Sequence, residues 1–160
     1  AMAYTFLKAK GVSVGKSLVD EEAISFVKSL PMDKIILPID HIVSLEIDGK
    51  KKKVYDIGSN EIGLDIGPET EKLFKSYLEK SKTVFWNGPM GYYENVSYQD
   101  GTRYICDVIS NLDITSVVGG GDSASCVINM GYIDKFTHIS TGGGASLELL
   151  SGKTLPGVNI

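Results

Sequence analysis

Three glycine-bearing segments hold most of the residues in this chain that could do chemistry: Asn87-Gly88-Pro89-Met90-Gly91, Gly119-Gly120-Gly121-Asp122 and Thr141-Gly142-Gly143-Gly144. Each follows a short apolar run and precedes a helical pattern. Triple glycine between a buried strand and a helix lets backbone amides turn toward a ligand without Cβ obstruction, and the helix N-terminus adds about half a positive charge. Both features suit phosphate. In a single loop, glycines that merely make a tight strand-to-helix turn would read the same way, and P-loop and dinucleotide fingerprints are absent. Two triple-glycine loops in register favour phosphate binding.

Asp122 follows Gly121 where a helix should begin, so it could serve as an N-cap. It could equally be a magnesium ligand, since a carboxylate beside a polyphosphate holds Mg2+ directly or through water. The two roles are compatible. Glu94, beyond the Asn87 to Gly91 loop, could accept hydrogen bonds from ribose hydroxyls or simply be a solvated loop carboxylate. His138 has no second ligand at metal spacing and reads as a core or hinge histidine. Cations are scarce where phosphoryl transfer would need them. The sole arginine, Arg103, falls within a predicted helix, and Lys135 and Lys153 lie beyond the helices that the triple-glycine loops begin.

These loops need a scaffold, and the second half of the chain supplies the rhythm of one. Ile62 to Ile66 leads to Pro68 and a helix with Leu73, Tyr77 and Leu78. Thr83 to Trp86 leads through the Asn87 loop to a helix with Ile105, Val108, Ile109 and Leu112. Thr115 to Val118 leads to a short helix through Met130, and Thr137 to Ser140 leads to a helix over Ala145 to Leu150. The alternation predicts an α/β fold, a Rossmann-like three-layer αβα domain with a mostly parallel sheet, whose ligands would gather at the carboxyl edge.

The first half is less regular. Met2 to Lys10 reads as the tail of a helix ended by Gly11. Ser17 and Asp20 should open a second helix, with Ile24, Val27 and Leu30 on one face and Pro31 closing it. Lys34 to Leu37 and Ile42 to Ile47 are strand-like. Asp48-Gly49 signals a hairpin turn toward a return strand near Val54 to Ile57, so a small lysine-rich hairpin insertion is expected, with Lys50 to Lys53 on its solvated edge.

Composition narrows the function classes. The chain has 160 residues, 42% hydrophobic and 22% charged, enough to bury a core without disulfide or metal staples. Sixteen Lys+Arg against twenty Asp+Glu give a net charge of -4, without the basic excess that nucleic acid or an anionic membrane surface attracts. The apolar runs are too short to span a bilayer, and the start lacks a signal peptide's charged region. Cys106 and Cys126 sit inside apolar stretches, as reduced buried thiols would, which fits a cytoplasmic setting. The pattern begins mid-helix with no capping residue, as in a piece whose beginning lies elsewhere.

Together, Phe85-Trp86-Asn87-Gly88-Pro89-Met90-Gly91, Val118-Gly119-Gly120-Gly121-Asp122-Ser123-Ala124, and Ser140-Thr141-Gly142-Gly143-Gly144-Ala145-Ser146-Leu147-Glu148-Leu149-Leu150 followed by Leu155-Pro156-Gly157-Val158 resemble the carboxyl-terminal, nucleotide-binding domain of phosphoglycerate kinase. Ala3 to Lys8 and Gly63-Leu64-Asp65-Ile66-Gly67-Pro68 match it as well, so the resemblance covers nearly the whole chain. It implies that residues 1–160 are one such domain, lacking its first segment and the amino-terminal substrate domain. The full-length protein would be a cytoplasmic monomer of glycolysis, a phosphotransferase with a carboxyl group as acceptor. It would move a phosphoryl group reversibly between 1,3-bisphosphoglycerate and ADP, giving 3-phosphoglycerate and ATP, with Mg2+ accompanying the ADP or ATP.

By the same resemblance, Leu18, Gly63 and Leu64 would flank the adenine, with Tyr92 shaping its pocket. Asn87, Pro89 and Glu94 would contact the sugar and phosphates. Asp122 would hold magnesium, and Ser123, with Gly119, would meet the phosphates. Gly120, Gly121, Thr141, Gly142, Gly143 and Gly144 would frame the transferring group, with Gly120, Gly121, Gly143 and Gly144 nearest the reaction. Departures from the family pattern include Ile62 where Met is frequent and Tyr92 where Val is frequent. The family's nucleotide-binding lysines and catalytic arginine have no counterparts here, in line with the shortage of cations. A stand-alone, non-catalytic nucleotide-binding module is the alternative.

Overall fold

The computed structural model describes residues 2–140, 142, 144–155 and 157. Among these residues lie six α-helices and six strands, which alternate from β3 onward as the sequence pattern requires of an α/β chain: α1 (Met2–Ala9), α2 (Ile24–Ser29), β1 (His41–Ser44), β2 (Lys52–Val54), β3 (Ile62–Ile66), α3 (Pro68–Leu78), β4 (Thr83–Asn87), α4 (Asp100–Ser110), β5 (Thr115–Gly119), α5 (Gly121–Asn129), β6 (His138–Ser140) and α6 (Gly144–Leu150). The strands divide between two three-stranded sheets. One is parallel, in the order β4-β5-β6, and the other is antiparallel, in the order β2-β1-β3. The strand at Ile62, which fits the parallel rhythm by sequence, instead pairs antiparallel with β1. Its neighbour β1 belongs to the lysine-rich hairpin, whose return strand β2 flanks β1 on the other side.

Each sheet has its own apolar core. Around the parallel sheet, Trp86 and Val118 pack with Ile105, Cys106 and Ile109 of α4 and Val127 of α5, and Phe136 stacks on Trp86. Helix α4 forms because its apolar residues recur every three to four positions, placing Ile105, Cys106 and Ile109 on one buried stripe. Burial pushes the Cys106 thiol up to about 12 and that of Cys126 up to about 11, so both are unreactive, buried free cysteines. The second core joins Tyr4 and Leu7 of α1 to Val14, Val43 and Ile57. Helix α1 ends as expected, with Gly11 at φ 81° and the Val12 amide donating back to the Leu7 carbonyl at 3.0 Å.

Four local expectations change. Helix α2 starts at Ile24, not Ser17, because the Ser17 hydroxyl accepts from the Gly63 amide at 2.9 Å and the Asp20 amide donates to the Thr5 hydroxyl. Lys34 to Leu37 is no strand: a 3-10 turn covers Met32–Lys34, and β1 is already flanked by β2 and β3. The return strand is Lys52–Val54, reached by a connection over 45–51 with a turn closed by Gly49 N–H to the Glu46 carbonyl at 3.0 Å. Finally, three of the hairpin lysines are paired. Lys51 meets Asp100 at 2.9 Å, Lys52 meets Glu61 at 2.5 Å and Lys53 meets Asp40 at 3.7 Å.

Asp40 fixes the junction of these parts. It is fully buried, and its carboxylate accepts from the Glu69 amide at 3.0 Å, the Thr70 amide at 2.7 Å and the Thr70 hydroxyl at 2.7 Å. Gly67 occupies the N-cap of α3 and has no side chain to cap it, so Asp40 satisfies those donors from 30 residues away. Burial pushes its carboxyl up, but the bonds from Thr70 and Glu69, with Lys53 nearby, hold it below the ordinary carboxylate range. The neighbouring His41 is buried, its Nδ1 without a hydrogen-bond partner, and desolvation lowers its pKa against the pull of Asp40 and Asp56. It therefore packs as neutral imidazole, tilted on Tyr4 at 5.5 Å.

Replacing Asp40 with Ala strands three donors and should lower the unfolding free energy by about 3 kcal/mol or more. Because the carboxyl is depressed in the folded state, Asp40 stabilises above the ordinary carboxylate pKa, and that contribution fades as pH falls through the folded-state value. Urea unfolding of parent and Asp40→Ala at neutral and acidic pH should show the gap narrowing toward acid. A gap independent of pH would assign the loss to packing alone.

Candidate functional site

The parallel sheet brings three loops to one edge. Asn87, Gly119 and Ser140, the last residues of β4, β5 and β6, are register partners, so the loops that follow start side by side. Glycine at 119 is required by packing: a Cβ there would lie 2.2 Å from the Phe85 ring. Gly120, at φ 91°, turns the chain into α5, and a Cβ on it would meet the Asn87 side chain at 3.5 Å. The first two loops are therefore in contact.

Ser123 locks them together. Its hydroxyl, 1% exposed, accepts from the Gly88 amide at 2.5 Å, and Trp86 Nε1 donates to the Gly88 carbonyl at 2.7 Å. Accepting leaves the Ser123 hydroxyl proton free to be donated elsewhere. Asp122 lies in the first turn of α5, exposed, with no hydrogen bond or ion pair among the described residues. The N-cap is Gly120, so Asp122 is not the cap that its position in the sequence allows. Its carboxylate is free to meet a ligand at a helix end that favours negative charge. At the third loop, the Ser140 and Ser146 hydroxyls share a hydrogen bond of 2.6 Å, and the Gly142 amide approaches Ser140 Oγ at 3.4 Å. Gly144 begins α6. Thr141 and Gly143 lie outside the described residues.

The segment after Pro89 runs from this edge toward the antiparallel sheet. The Tyr92 amide donates to the Leu64 carbonyl at 2.7 Å, which ties the segment bearing Tyr92 and Glu94, both exposed, to β3. Leu64 itself is buried. Gly63 lies against Tyr4, whose hydroxyl would be 2.2 Å from an added Cβ. Leu18 is 72% exposed and follows Ser17, which is bonded to Gly63, so Leu18 and Gly63 are neighbours in space. His138 is exposed at the start of β6 rather than in the core.

Asp65 is a residue the sequence reading passed over. It is 2% exposed and accepts from the Gly101 amide at 2.9 Å and the Ile66 amide at 2.8 Å, so it caps α4 as Asp40 caps α3. Gly91 and Gly101 are both pressed onto its carboxylate, where an added Cβ would fall within 2.5 Å. The signal was a carboxylate inside an apolar strand with glycine on either side. Burial pushes this carboxyl up to about 7 despite the two amide bonds, helped by Asp100 and Glu71.

The geometry defines a class: an α/β chain whose parallel strands deliver glycine loops and an unpaired, exposed carboxylate to one edge. A sequence model of the family described as phosphoglycerate kinase matches residues 1–153. The phosphoglycerate kinase of Fusobacterium nucleatum is 49% identical over 166 residues, covering 99% of this chain and 42% of that protein. The one from Enterococcus faecalis is 51% identical over 165 residues, covering 98% and 42%. Among solved structures, phosphoglycerate kinase from Coxiella burnetii superposes with a TM-score of 0.87 at 35% identity, over 95% of this chain and 42% of that one. The Pyrococcus horikoshii OT3 enzyme gives 0.82 at 28% identity, over 96% and 41%. The chain belongs to the phosphoglycerate kinase family, and it spans about two fifths of the length of the relatives it matches.

Because the Asp65 pKa is raised on folding, the native state keeps a proton that the unfolded chain releases between about pH 4 and 7, so Asp65 costs stability as pH rises through that window. Asp65→Asn stays neutral throughout. Relative to the parent, its unfolding free energy should gain about 2–3 kcal/mol between pH 5 and pH 8, at about 1.4 kcal/mol per pKa unit. Urea midpoints at the two pH values measure this. A constant difference would mean that Asp65 is ionised over the whole range.

Proposed function

We propose that this chain is the nucleotide-binding half of a phosphoglycerate kinase and holds Mg-ADP or Mg-ATP across the carboxyl edge of the parallel sheet. The whole enzyme would move a phosphoryl group reversibly between 1,3-bisphosphoglycerate and ADP, with the phosphoglycerate site and the transfer cations supplied by parts outside this chain. The observation that carries the reading is the alignment of Asn87, Gly119 and Ser140 at one edge, with the glycine loops beyond them.

The roles follow from what each residue offers. Amides of the Gly119 to Ser123 turn would meet phosphate oxygens, with the buried Ser123 hydroxyl holding the Gly88 loop beside them; Asn87 and Pro89 would line the phosphate and sugar side, and Glu94 would accept from ribose hydroxyls. Leu18, Gly63, Leu64 and Tyr92 would border the base, with Leu64 acting through its backbone since its side chain is buried. Gly120 and Gly121, with Thr141, Gly142, Gly143 and Gly144, would frame the transferring group. Among the described residues no three His, Cys, Asp or Glu side chains gather to hold a metal unaided. A lone, unpartnered carboxylate at Asp122 nevertheless fits Mg2+, which commonly takes one protein carboxylate and completes its shell with phosphate oxygens and water. When bound, the ion offsets phosphate charge.

Titration with Mg-ADP should move backbone amides in three groups: Gly63 to Asp65, Asn87 to Glu94 and Gly119 to Ser123. Shifts confined to Lys50 to Lys53 would mean charge attraction only and overturn the proposal. A coupled assay of this chain by itself should show no kinase turnover.

Asp122→Asn tests the metal. Since Asp122 does not cap α5, the substitution should change stability by no more than ~1 kcal/mol, chiefly by removing a favourable charge from the helix start. It removes the anionic oxygen that a hard dication prefers. Calorimetric ADP titrations with and without Mg2+ should show the magnesium-dependent gain in affinity largely gone. If the variant keeps the parent's gain, phosphates and water alone hold the ion.

A further inference from the structure

The hairpin formed by β1 and β2 does more than edge a sheet, because its tip is joined at four points to the chain just after Tyr92 and Glu94. Tyr98, 1% exposed, donates its hydroxyl proton to the Ile47 carbonyl at 2.8 Å. Asn95 Nδ2 donates to Asp48 Oδ1 at 3.1 Å. Lys51 Nζ donates both to the Ser97 carbonyl at 2.8 Å and to Asp100 Oδ2 at 2.9 Å. From the other side, Gly91 is seated on the Tyr98 carbonyl, where an added Cβ would come within 2.5 Å, and Tyr92 is bonded to Leu64. Residues 92–94, with Tyr92 and Glu94 exposed and the half-buried Tyr93 accepting at its carbonyl from Gln99 Nε2 at 2.8 Å, are thus a short bridge. One end is set by β3 and the other by the hairpin.

We propose that Lys51 and Asp48 are positioning residues for a nucleoside diphosphate, acting through the segment 92–98 to hold Tyr92 and Glu94 where the nucleoside half of the ligand binds. The inference rests on the nucleotide reading of the site and adds to it a remote determinant of affinity for the nucleoside, distinct from the phosphate loops. Lys51 and Asp100 are both substantially exposed, so their ion pair by itself stabilises the fold little. Its effect is on order. Lys51 pairs with the first turn of α4 while also fixing the Ser97 carbonyl, and Asp48 fixes Asn95, whose own Oδ1 accepts from the Ser97 amide at 2.9 Å. Loss of these contacts frees residues 92–95, and ligand binding must then supply the ordering that the hairpin now provides.

The phosphate end should not sense this change. Gly88 is held by Ser123 and the turn at Gly120 by α5 and β5, while α5 meets the 92–98 segment away from that turn, where Asn129 Nδ2 donates to the Tyr93 hydroxyl at 3.2 Å. The test compares two probes, Mg-ADP and Mg-pyrophosphate, on the parent, on Lys51→Met/Asp48→Ala and on Lys51→Arg/Asp48→Asn, in the full 160-residue chain. Both substituted positions are exposed and outside the cores, and Tyr98 still anchors the hairpin, so the variants fold; urea midpoints check this. In the Met/Ala variant the ADP affinity should fall about tenfold, while the pyrophosphate affinity stays within about twofold. Amide exchange of residues 92–97 in the ligand-free protein should quicken. The Arg/Asn variant keeps a donor and an acceptor at the two positions and should recover most of the loss.

Equal losses for both probes would mean a general structural effect and overturn the inference. So would an ADP affinity that does not change. A parent that binds pyrophosphate but not ADP overturns the inference and the nucleotide reading together, and one that binds neither overturns them at the phosphate loops. A failure of the inference alone is recognised by a parent that binds both probes normally.

Discussion

A buried aspartate that caps a helix distant in sequence is the constraint on which this structure turns. Asp40 carries no exposed surface, yet the Glu69 and Thr70 amides and the Thr70 hydroxyl, all donating to its carboxylate, favour its ionised form. A carboxylate removed from water is costly unless its oxygens are filled. Here they are filled by the start of α3, whose own cap position is a glycine. The need is mutual: α3 lacks a local cap, and Asp40 lacks solvent. Lys53 completes the charge balance at 3.7 Å and brings β2 with it, so one carboxylate sets β1, β2 and α3 in place.

Asp65 repeats the device with the balance reversed. It caps α4 through Gly101, but only two amides reach it, and Asp100 and Glu71 add repulsion rather than a counter-charge. The Asp40 carboxyl is consequently held low while that of Asp65 is pushed up. The contrast follows from the deeper desolvation of Asp65, its fewer hydrogen bonds and the sign of the charge around it, with neither side chain reaching solvent appreciably. Asp65 also presses on Gly91, which links the capping of α4 to the start of the exposed segment bearing Tyr92 and Glu94.

What the sequence could reveal depended on how local the cause was. The strands, loops and helices from Thr83 to Leu150 are legible because each is set by the period and punctuation of its own residues, and Pro68 and Gly11 mark boundaries for the same reason. The turn at Gly119 and Gly120 is legible as a tight strand-to-helix connection because the constraint lies in the absence of Cβ atoms. Lys34 to Leu37 misleads because an apolar run becomes a strand only with a free partner, and β1 has neighbours on both sides. Ser17 misleads because its hydroxyl is claimed by Gly63, 46 residues on. The lysine run reads as a solvated edge, yet its members reach Asp100, Glu61 and Asp40, contacts that no local pattern encodes.

The same separation of causes explains how the edge can be formed without cations in the glycine loops. Loop backbone held by strand register and by the Ser123–Gly88 bond is already ordered, so it needs little reorganisation to meet an anion. Fixed dipoles of this kind can hold a phosphate, but they carry no net charge to offset the negative charge on a phosphoryl group in flight. The carboxylate of Asp122 makes that deficit larger unless a dication sits between it and the phosphates. A site made of amides and one carboxylate is therefore chemically suited to grip a metal-bound polyphosphate and poorly suited to move its terminal group. Binding and transfer thus call for different side chains, and on the proposed reading the described residues of the glycine loops offer those for binding.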